Sequence, residues 1–313
     1  MLLRYKADRR SLFFVFLYLI VASLSYICFP SKWYFILPLI ALNAVLSFFC
    51  AVIIHNTIHA PIFKKRIWNK VFQVVLSFSY GHSVSAFVSG HNFSHHKHTQ
   101  TLKDRTRTTK LRFKWNLLNQ LLFFFVVIPP IAKDENDFAK LMYKEKPRWF
   151  WQYVLELVLV IGTKVVLIIL NPLAGVLILV IPHLYAVWGI LGTNYWQHDG
   201  CDETHSYNHT RNFKNGFLNF VAFNNGYHSA HHDKPNLHWS LLPAYHEEFI
   251  APHIHPNLNR GSLFVYLWEA HIFPGKRLNY LGESYILPEI NVDEEWLDDM
   301  KVSHHNLDLG VED

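Results

Sequence analysis

Four stretches of the chain run for the length of a membrane helix with almost no charge. Residues 11–29 (SLFFVFLYLIVASLSYICF) and 33–54 (WYFILPLIALNAVLSFFCAVII) carry none, 152–170 carry Glu156 and Lys164, and 173–197 carry none. About 20 apolar residues in a helix cross a bilayer core. Pro30-Ser31-Lys32 separates the first two and Asn171-Pro172 the second two, which predicts two tight hairpins. Trp33, Tyr34, Trp149, Trp151 and Tyr153 fall at the ends, where aromatic rings favour the membrane interface. Two further apolar stretches are interrupted, 71–89 by His82 and several Ser, 117–132 by Asn119, Gln120 and Pro129-Pro130. These predict interfacial or partly buried helices.

The basic start (Arg4, Lys6, Arg9, Arg10) would suit a cleaved leader, but the run after it is long and lacks an obvious small-residue cleavage site. A retained helix is the expectation. Eleven Lys or Arg lie between 56 and 116 against the single acid Asp104, whereas the hairpin turns hold only Lys32. The positive-inside tendency then places the N-terminus, 55–150 and 198–313 in the cytoplasm. The predicted fold is all-α and integral to the membrane. Four transmembrane helices in two hairpins and a cytoplasmic helical cap form one domain over 1–313. The tail after 285 is acidic (Asp293, Glu294, Glu295, Asp298, Asp299) and predicts a solvated end.

Composition agrees: 51% apolar and 17% charged, below the roughly one quarter charged of soluble chains. Such a chain has too much to bury to be disordered. Three cysteines, two inside apolar runs (Cys28, Cys50), argue against a disulfide or thiolate-metal framework. A net charge of +5 makes no case for nucleic acid.

Histidine changes the picture, with 21 residues, most of them clustered. The clusters are His55-Asn-Thr-Ile-His59, His91-Asn-Phe-Ser-His95-His96, Asn194-Tyr-Trp-Gln-His198 and His228-Ser-Ala-His231-His232. On a helix, positions i, i+3 and i+4 share a face, so each cluster can aim imidazoles at one point. His55 follows the second span and His198 the fourth, so all four clusters fall on the predicted cytoplasmic side. Nine neutral nitrogen donors exceed the four ligands of one tetrahedral zinc but suit two octahedral ions with open positions. Imidazole suits iron, copper, zinc and nickel. Two irons that activate O2 could attack an unactivated C–H bond, the chemistry an acyl chain demands. A His-rich membrane protein that binds or moves a metal is the competing reading. A transporter would place ligands near the midplane, and only His183 and Lys164 lie there. A zinc membrane protease needs HExxH, which the chain lacks.

The boxes resemble those of the membrane fatty acid desaturase and hydroxylase superfamily in order as well as spacing, over about residues 50 to 245. The resemblance implies four membrane helices, a cytoplasmic cap holding two irons, and O2 as co-substrate. Carried over, the iron ligands are His55, His59, His91, His95, His96, His198, His228, His231 and His232. Asn194 stands where the family has an Asn reaching iron through water. Asp104 (HHKHTQTLKD) stands where the family has an Asp behind the ligands. The first box has three residues between its His, where stearoyl-type desaturases have four. The second has three before the His pair, where they have two. NYWQHDG (194–200) is similar to a motif of membrane alkane hydroxylases. Desaturation and hydroxylation of a fatty acyl or other lipid-like substrate therefore both stand. No HPGG-type haem motif is present, so electrons are expected from a separate carrier of ferredoxin, rubredoxin or cytochrome b5 type. The implied location is a bacterial inner membrane or endoplasmic reticulum, with the site on the cytoplasmic face.

Other residues carry weaker expectations. His183 faces the same side as Asn194 and His198 and could line a substrate tunnel, though a satisfied core His is favoured. Lys164 is expected to snorkel or pair within the bundle. Lys103, Arg105, Arg107, Lys110, Arg112 and Lys114 form a basic strip read first as a topology and lipid-contact signal, with docking of an acidic carrier as the alternative. His98, His205, His209, His238 and His246 lie near the boxes without an assigned role. Trp239 and Tyr227 default to packing. The sequons at Asn92 and Asn208 would stay unmodified on a cytoplasmic face.

Overall fold

The computed structural model describes residues 2–300, and the last part of the acidic tail, 301–313, lies outside the described residues. The chain is mostly helical. Six long helices are α1 (Asp8–Ile27), α2 (Trp33–His59), α3 (Arg66–Tyr80), α4 (Asn116–Glu145), α5 (Pro147–Leu170) and α6 (Pro172–His198). All but α3 are long and apolar enough to cross a membrane. Shorter helices follow: α7 (Gly216–Val221), α8 (His228–Asp233) and α9 (Leu263–Ile272). The parallel pair β1 (Asn212–Phe213) and β2 (Asn259–Arg260) aligns Phe213 with Arg260.

The four expected spans are helices with shifted bounds. α2 does not stop at residue 54, since HNTIH continues it to His59 and Thr57 Oγ1 donates back to the Ile53 carbonyl at 2.7 Å. α5 starts five residues before the expected 152, at Pro147, whose fixed φ and missing N–H suit a first helical position. Asn171 caps α6 by accepting from Ala174 N at 3.1 Å. The stretch 117–132 belongs to a longer helix than expected, the 30-residue α4.

The chain forms two compact units from interleaved segments. The first comprises residues 2–88 and 137–190. Here apolar helices are joined by side-chain hydrogen bonds, as expected where lipid offers no hydrophobic drive between helices. Asn43 Nδ2 donates to Ser25 Oγ at 3.1 Å, Ser47 Oγ to the Ser79 carbonyl at 2.8 Å, and Tyr26 OH to the Leu167 carbonyl at 2.7 Å. Glu156, fully buried, accepts from Ser83 Oγ (2.7 Å), Ser85 N (2.9 Å), Ser85 Oγ (3.1 Å) and Gln152 Nε2 (2.8 Å). The serines that interrupt 71–89 thus satisfy a carboxylate within α5. Lys164 Nζ donates to the Gly81 carbonyl at 2.7 Å, and His183 Nε2 lies 2.7 Å from Tyr18 OH. His183 and Lys164 both line an apolar cavity of about 300 Å³ bordered by α1, α5 and α6, and the contact with Tyr18 makes His183 the hydrogen-bonded core residue that was favoured. Gly81 ends α3 at φ +80°, and a Cβ there would fall 2.2 Å from His183 Nδ1.

The second unit comprises residues 89–136 and 191–300. Its apolar centre packs Leu111, Phe123, Val127 and Tyr195. Arg277 ties distant segments together: Nε donates to Asp199 Oδ1 (2.9 Å), Nη1 to the Leu111 carbonyl (2.6 Å) and Nη2 to the Thr108 carbonyl (3.0 Å). Arg211 Nη1 donates to the carbonyls of Trp196 (2.7 Å) and Asp199 (3.0 Å) and to Tyr266 OH (2.9 Å).

The acidic segment before residue 300 is not a solvated end. Lys110 Nζ donates to Asp293 Oδ2 (2.8 Å), Lys103 Nζ to Asp299 Oδ2 (2.7 Å) and Arg105 Nη2 to Glu295 Oε2 (3.2 Å), while Arg107 pairs with Asp293. Trp296 is fully buried and donates its Nε1 to Asp134, which also accepts Arg105 Nε at 2.6 Å. The basic strip from 103 to 110 is therefore covered by the chain's own carboxylates, where lipid contact was expected. Opposite charges in one chain neutralise each other at little cost in entropy, and the buried tryptophan anchors the segment.

Candidate metal centre

The second box lies on a π-helical stretch, Ser89–His96. Its hydrogen bonds run i to i+5, so four to five residues complete a turn. His95 and His96 both return over His91, with ring centroids 5.7 Å and 4.5 Å away. The HxxxHH spacing is the sequence trace of that widened turn. On α8 the ordinary i+3 and i+4 spacings bring His231 and His232 to 5.7 Å and 4.6 Å from His228.

These imidazoles sort into two adjoining groups within the second unit. His91, His96 and His231 form one. His96 Nε2 lies 3.0 Å from His91 Nε2 and 3.0 Å from His231 Nε2. His95, His198, His228 and His232 form the other, their ligand nitrogens all within 4.8 Å of one another. His198 Nε2 and His228 Nε2 are 3.0 Å apart. The groups meet where the rings of His96 and His232 stack at 4.4 Å.

Do these residues fit metal ions? Nitrogens about 2.1 Å from an ion lie about 3.0 Å apart as octahedral neighbours and about 3.4 Å apart in a tetrahedron. The three spacings match the octahedral value. His95 Nε2 and His232 Nε2 are buried without a hydrogen-bond partner among the described residues, a costly arrangement unless an ion takes their lone pairs. Burial holds His232 well below the usual imidazole range, and the neighbouring His228, His198 and His95 push the same way. It therefore stays neutral, as a ligand must. Two histidine-rich ion sites fit.

Asp104 lies behind this arrangement, fully buried. His95 Nδ1 donates to its Oδ2 at 2.9 Å, as does Gln100 N at 2.9 Å, and Thr106 N (2.7 Å) and Oγ1 (2.8 Å) donate to Oδ1. Burial alone would raise its pKa, but the charge and hydrogen bond of His95 and the two backbone donors prevail and hold it below the usual carboxylate value. The carboxylate fixes the proton of His95 on Nδ1 and turns Nε2 toward the other histidines. Asn194 Nδ2 donates to the Thr106 carbonyl at 3.3 Å, binding the turn before His198 to the box-two loop. His55 and His59 occupy the last turns of α2 in the first unit, both buried, their rings 5.9 Å apart.

Sequence reasoning passed over several supports. Thr106 Oγ1 lies 3.1 Å from His95 Nδ1 and shares its carboxylate. Asp199, next to His198, is gripped by Arg277 from 78 residues away. Only the adjacency of Asp199 to a box residue offered a signal; Arg277 had none. His209 approaches His232 at 5.8 Å. His246 packs on Tyr227 at 5.3 Å, and His238 accepts from Ser240 in a turn beside Trp239, so these two serve packing and turn formation.

The family model of the fatty acid desaturases matches residues 31–258, from the start of α2 past the last box. The chain belongs to the fatty acid desaturase family. It is also similar to a sphingolipid delta(4)-desaturase of Candida albicans, 27% identical over 239 residues. That match covers 68% of this chain and 61% of the relative, so the chain spans less than two thirds of the relative's length. For a desaturase-family protein the histidine groups are where iron would bind, and the apolar helices make it an integral membrane protein.

Proposed function

We propose that this protein is an O2-dependent membrane desaturase of a lipid acyl chain, with iron in both histidine groups. The observation that carries the reading is the sorting of seven imidazoles from three boxes into two adjoining groups, with nearest nitrogens at 3.0 Å. His91, His96 and His231 would hold one iron, and His55 and His59 of the first box are proposed as further iron ligands on the family's box order alone. His95, His198, His228 and His232 would hold the other, with Asn194 nearby through water. Bound iron would supply O2 activation with two external electrons and two protons, so that a –CH2–CH2– unit loses two hydrogens and O2 leaves as two waters.

The residues around the groups prepare that chemistry. Asp104 keeps His95 in one tautomer. Burial keeps His232 neutral. Arg277 and Asp199 hold the turn after His198 against the loop that carries the second box. The cytoplasmic face is the proposed side of the membrane, and a separate one-electron carrier is the proposed donor. The named relative makes a sphingolipid the first substrate to try, ahead of simple fatty acyl esters. The NYWQHDG motif supports one alternative outcome, hydroxylation of the same kind of chain.

The test is expression in a host whose lipids are profiled by mass spectrometry, with iron measured on the purified protein. About two irons per chain and a new lipid two mass units lighter than its precursor support the reading. A product sixteen units heavier means hydroxylation. Zinc in place of iron, or metal retained in both His95→Ala and His232→Ala, overturns it.

A further inference from the structure

We propose that the cavity between α1, α5 and α6 binds a free fatty acid, with the carboxylate at Lys164 and the first part of the chain in the apolar space. The site is separate from the histidine groups: its walls belong to the first unit and include no box residue.

Two cross-links frame the space. Tyr26 OH donates to the Leu167 carbonyl at 2.7 Å and ties α1 to α5, while Tyr18 OH lies 2.7 Å from His183 Nε2 and ties α1 to α6. Tyr18 and Tyr26 are eight residues apart on one helix, a rise of about 12 Å. Between them α1 presents Ala22 and Ser23, whose side chains are too short to fill the gap. The helices therefore stand around about 300 Å³ of mostly apolar, unfilled space. A group the size of a water or a methylene takes roughly 30 Å³, so about ten fit. That is part of one acyl chain, and too little for the two chains and headgroup of a phospholipid. Ser23, Ile27 and Thr163 line the cavity and are exposed, so it opens sideways, where lipid surrounds the helices.

Charge decides the occupant. Lys164 lines the same space, and its bond to the Gly81 carbonyl keeps the ammonium inside the bundle. An ammonium has three N–H donors. Among the described residues Lys164 makes that one bond and pairs with no carboxylate. Glu156, eight residues earlier on the same helix, is already saturated by Ser83, Ser85 and Gln152. Tyr18 and His183 engage each other, and Tyr26 is engaged by Leu167. A cation with unused donors is costly among apolar helices. A carboxylate supplies both the countercharge and the acceptors. A fatty acid carries that group on a single chain, and its protonated form is neutral, so it reaches this depth without moving a charge through lipid. A phosphate or sulfate head cannot shed its charge in that way. The acid's first methylenes would fill the space, and the rest of its chain would leave through the mouth among the lipid tails.

Photolabelling of the full chain in phosphatidylcholine nanodiscs tests the proposal. The probes are palmitic acid with a diazirine a few carbons from the carboxyl group, and the methyl ester of the same molecule. Cross-linked peptides are mapped by mass spectrometry. The acid should label residues 18–27 and 160–167 roughly tenfold or more above the ester, the strength of a charge-assisted hydrogen bond. Excess palmitate should compete the label away. Lys164→Met should fall to the level of the ester, and Lys164→Arg should keep the preference for the acid. Ser23→Phe fills the exposed mouth and leaves Lys164 bonded to Gly81. It should block labelling, so the test stands even where Lys164→Met does not fold. Equal labelling by acid and ester overturns the proposal, as does acid labelling unchanged in Lys164→Met or in Ser23→Phe; the space then holds ordinary lipid tails. Cross-links on 89–96 or 228–232 in place of 18–27 and 160–167 put the acid at the histidine groups and overturn it as well. The labels read the same way whether or not the protein desaturates lipid, so a failure here is distinct from a failure of the function.

Discussion

Asp104 accepts a hydrogen bond from His95 Nδ1 at 2.9 Å, with both side chains buried to within 1%. The pair settles which nitrogen of His95 is free to bind an ion, and it does so with a charge that four donors hold in place. Asp104→Ala leaves Nδ1 without an acceptor and lets the ring turn. Loss of such a partner typically costs 10–100-fold in metal affinity or activity. We expect iron per chain and lipid product to fall together by that factor in Asp104→Ala, with Asp104→Asn intermediate because it keeps an acceptor. Full iron occupancy in Asp104→Ala, read by elemental analysis, would show that the ring is held by packing alone.

Much of this was legible in the chain. The four apolar runs became helices because their lengths and turn residues are local properties. The boxes could be paired with a face because spacing on one helix is also local. The division of the histidines between two groups was not legible: His95 and His96 are neighbours in sequence and join different groups, which follows from how a π-turn presents them. The tail was misread for a similar reason. A run of Asp and Glu looks solvated unless one knows that Lys103, Arg105, Arg107 and Lys110 lie opposite, nearly 200 residues earlier. Trp296, apolar and alone in an acidic run, was the one local hint that the segment is anchored.

That segment gives a pH prediction. Burial opposes the charge of Asp293, but hydrogen bonds from Lys110 and Arg107 prevail and hold its pKa below the ordinary 3.8. A carboxyl depressed in the folded state adds stability that is fully present above its unfolded pKa and is lost as pH falls through the folded one. The segment should therefore stay docked at neutral pH and loosen below about pH 4. Limited proteolysis after residue 285, followed from pH 7 down to 3, should show rising cleavage in the parent protein. Asp293→Asn should be cleaved faster at pH 7 and change less on acidification. Equal rates for the two proteins at pH 7 would remove Asp293 from the clamp.

Arg277 and Asp199 form a buried ion pair, 9% and 3% exposed, that also caps the carbonyls of Leu111 and Thr108. Removing one partner of such a pair leaves the other charged and unsolvated, at a cost of about 3–5 kcal/mol. Arg277→Met should lower the thermal transition in detergent by several degrees, and Asp199→Leu should do likewise. The double variant should recover part of the loss, because it buries no orphan charge. Additive losses in the double variant would mean that the two residues act separately.

The last prediction concerns the turn after α3. Gly81 has φ +80°, and its missing side chain leaves the space where His183 and Lys164 meet. Alanine would strain the backbone and place its Cβ 2.2 Å from His183 Nδ1 and 2.5 Å from Lys164 Nζ. Either the imidazole or the ammonium must then move. Movement of His183 breaks its 2.7 Å contact with Tyr18, and movement of Lys164 leaves the Gly81 carbonyl unpaired among apolar helices. Tyr18→Phe loses only the first of these, a change worth about 1 kcal/mol. Gly81→Ala should therefore destabilise the detergent-solubilised protein well beyond Tyr18→Phe in a thermal aggregation assay. If Gly81→Ala behaves like the parent, the turn can relax away from α5 and α6, and the close packing there is not what selects glycine.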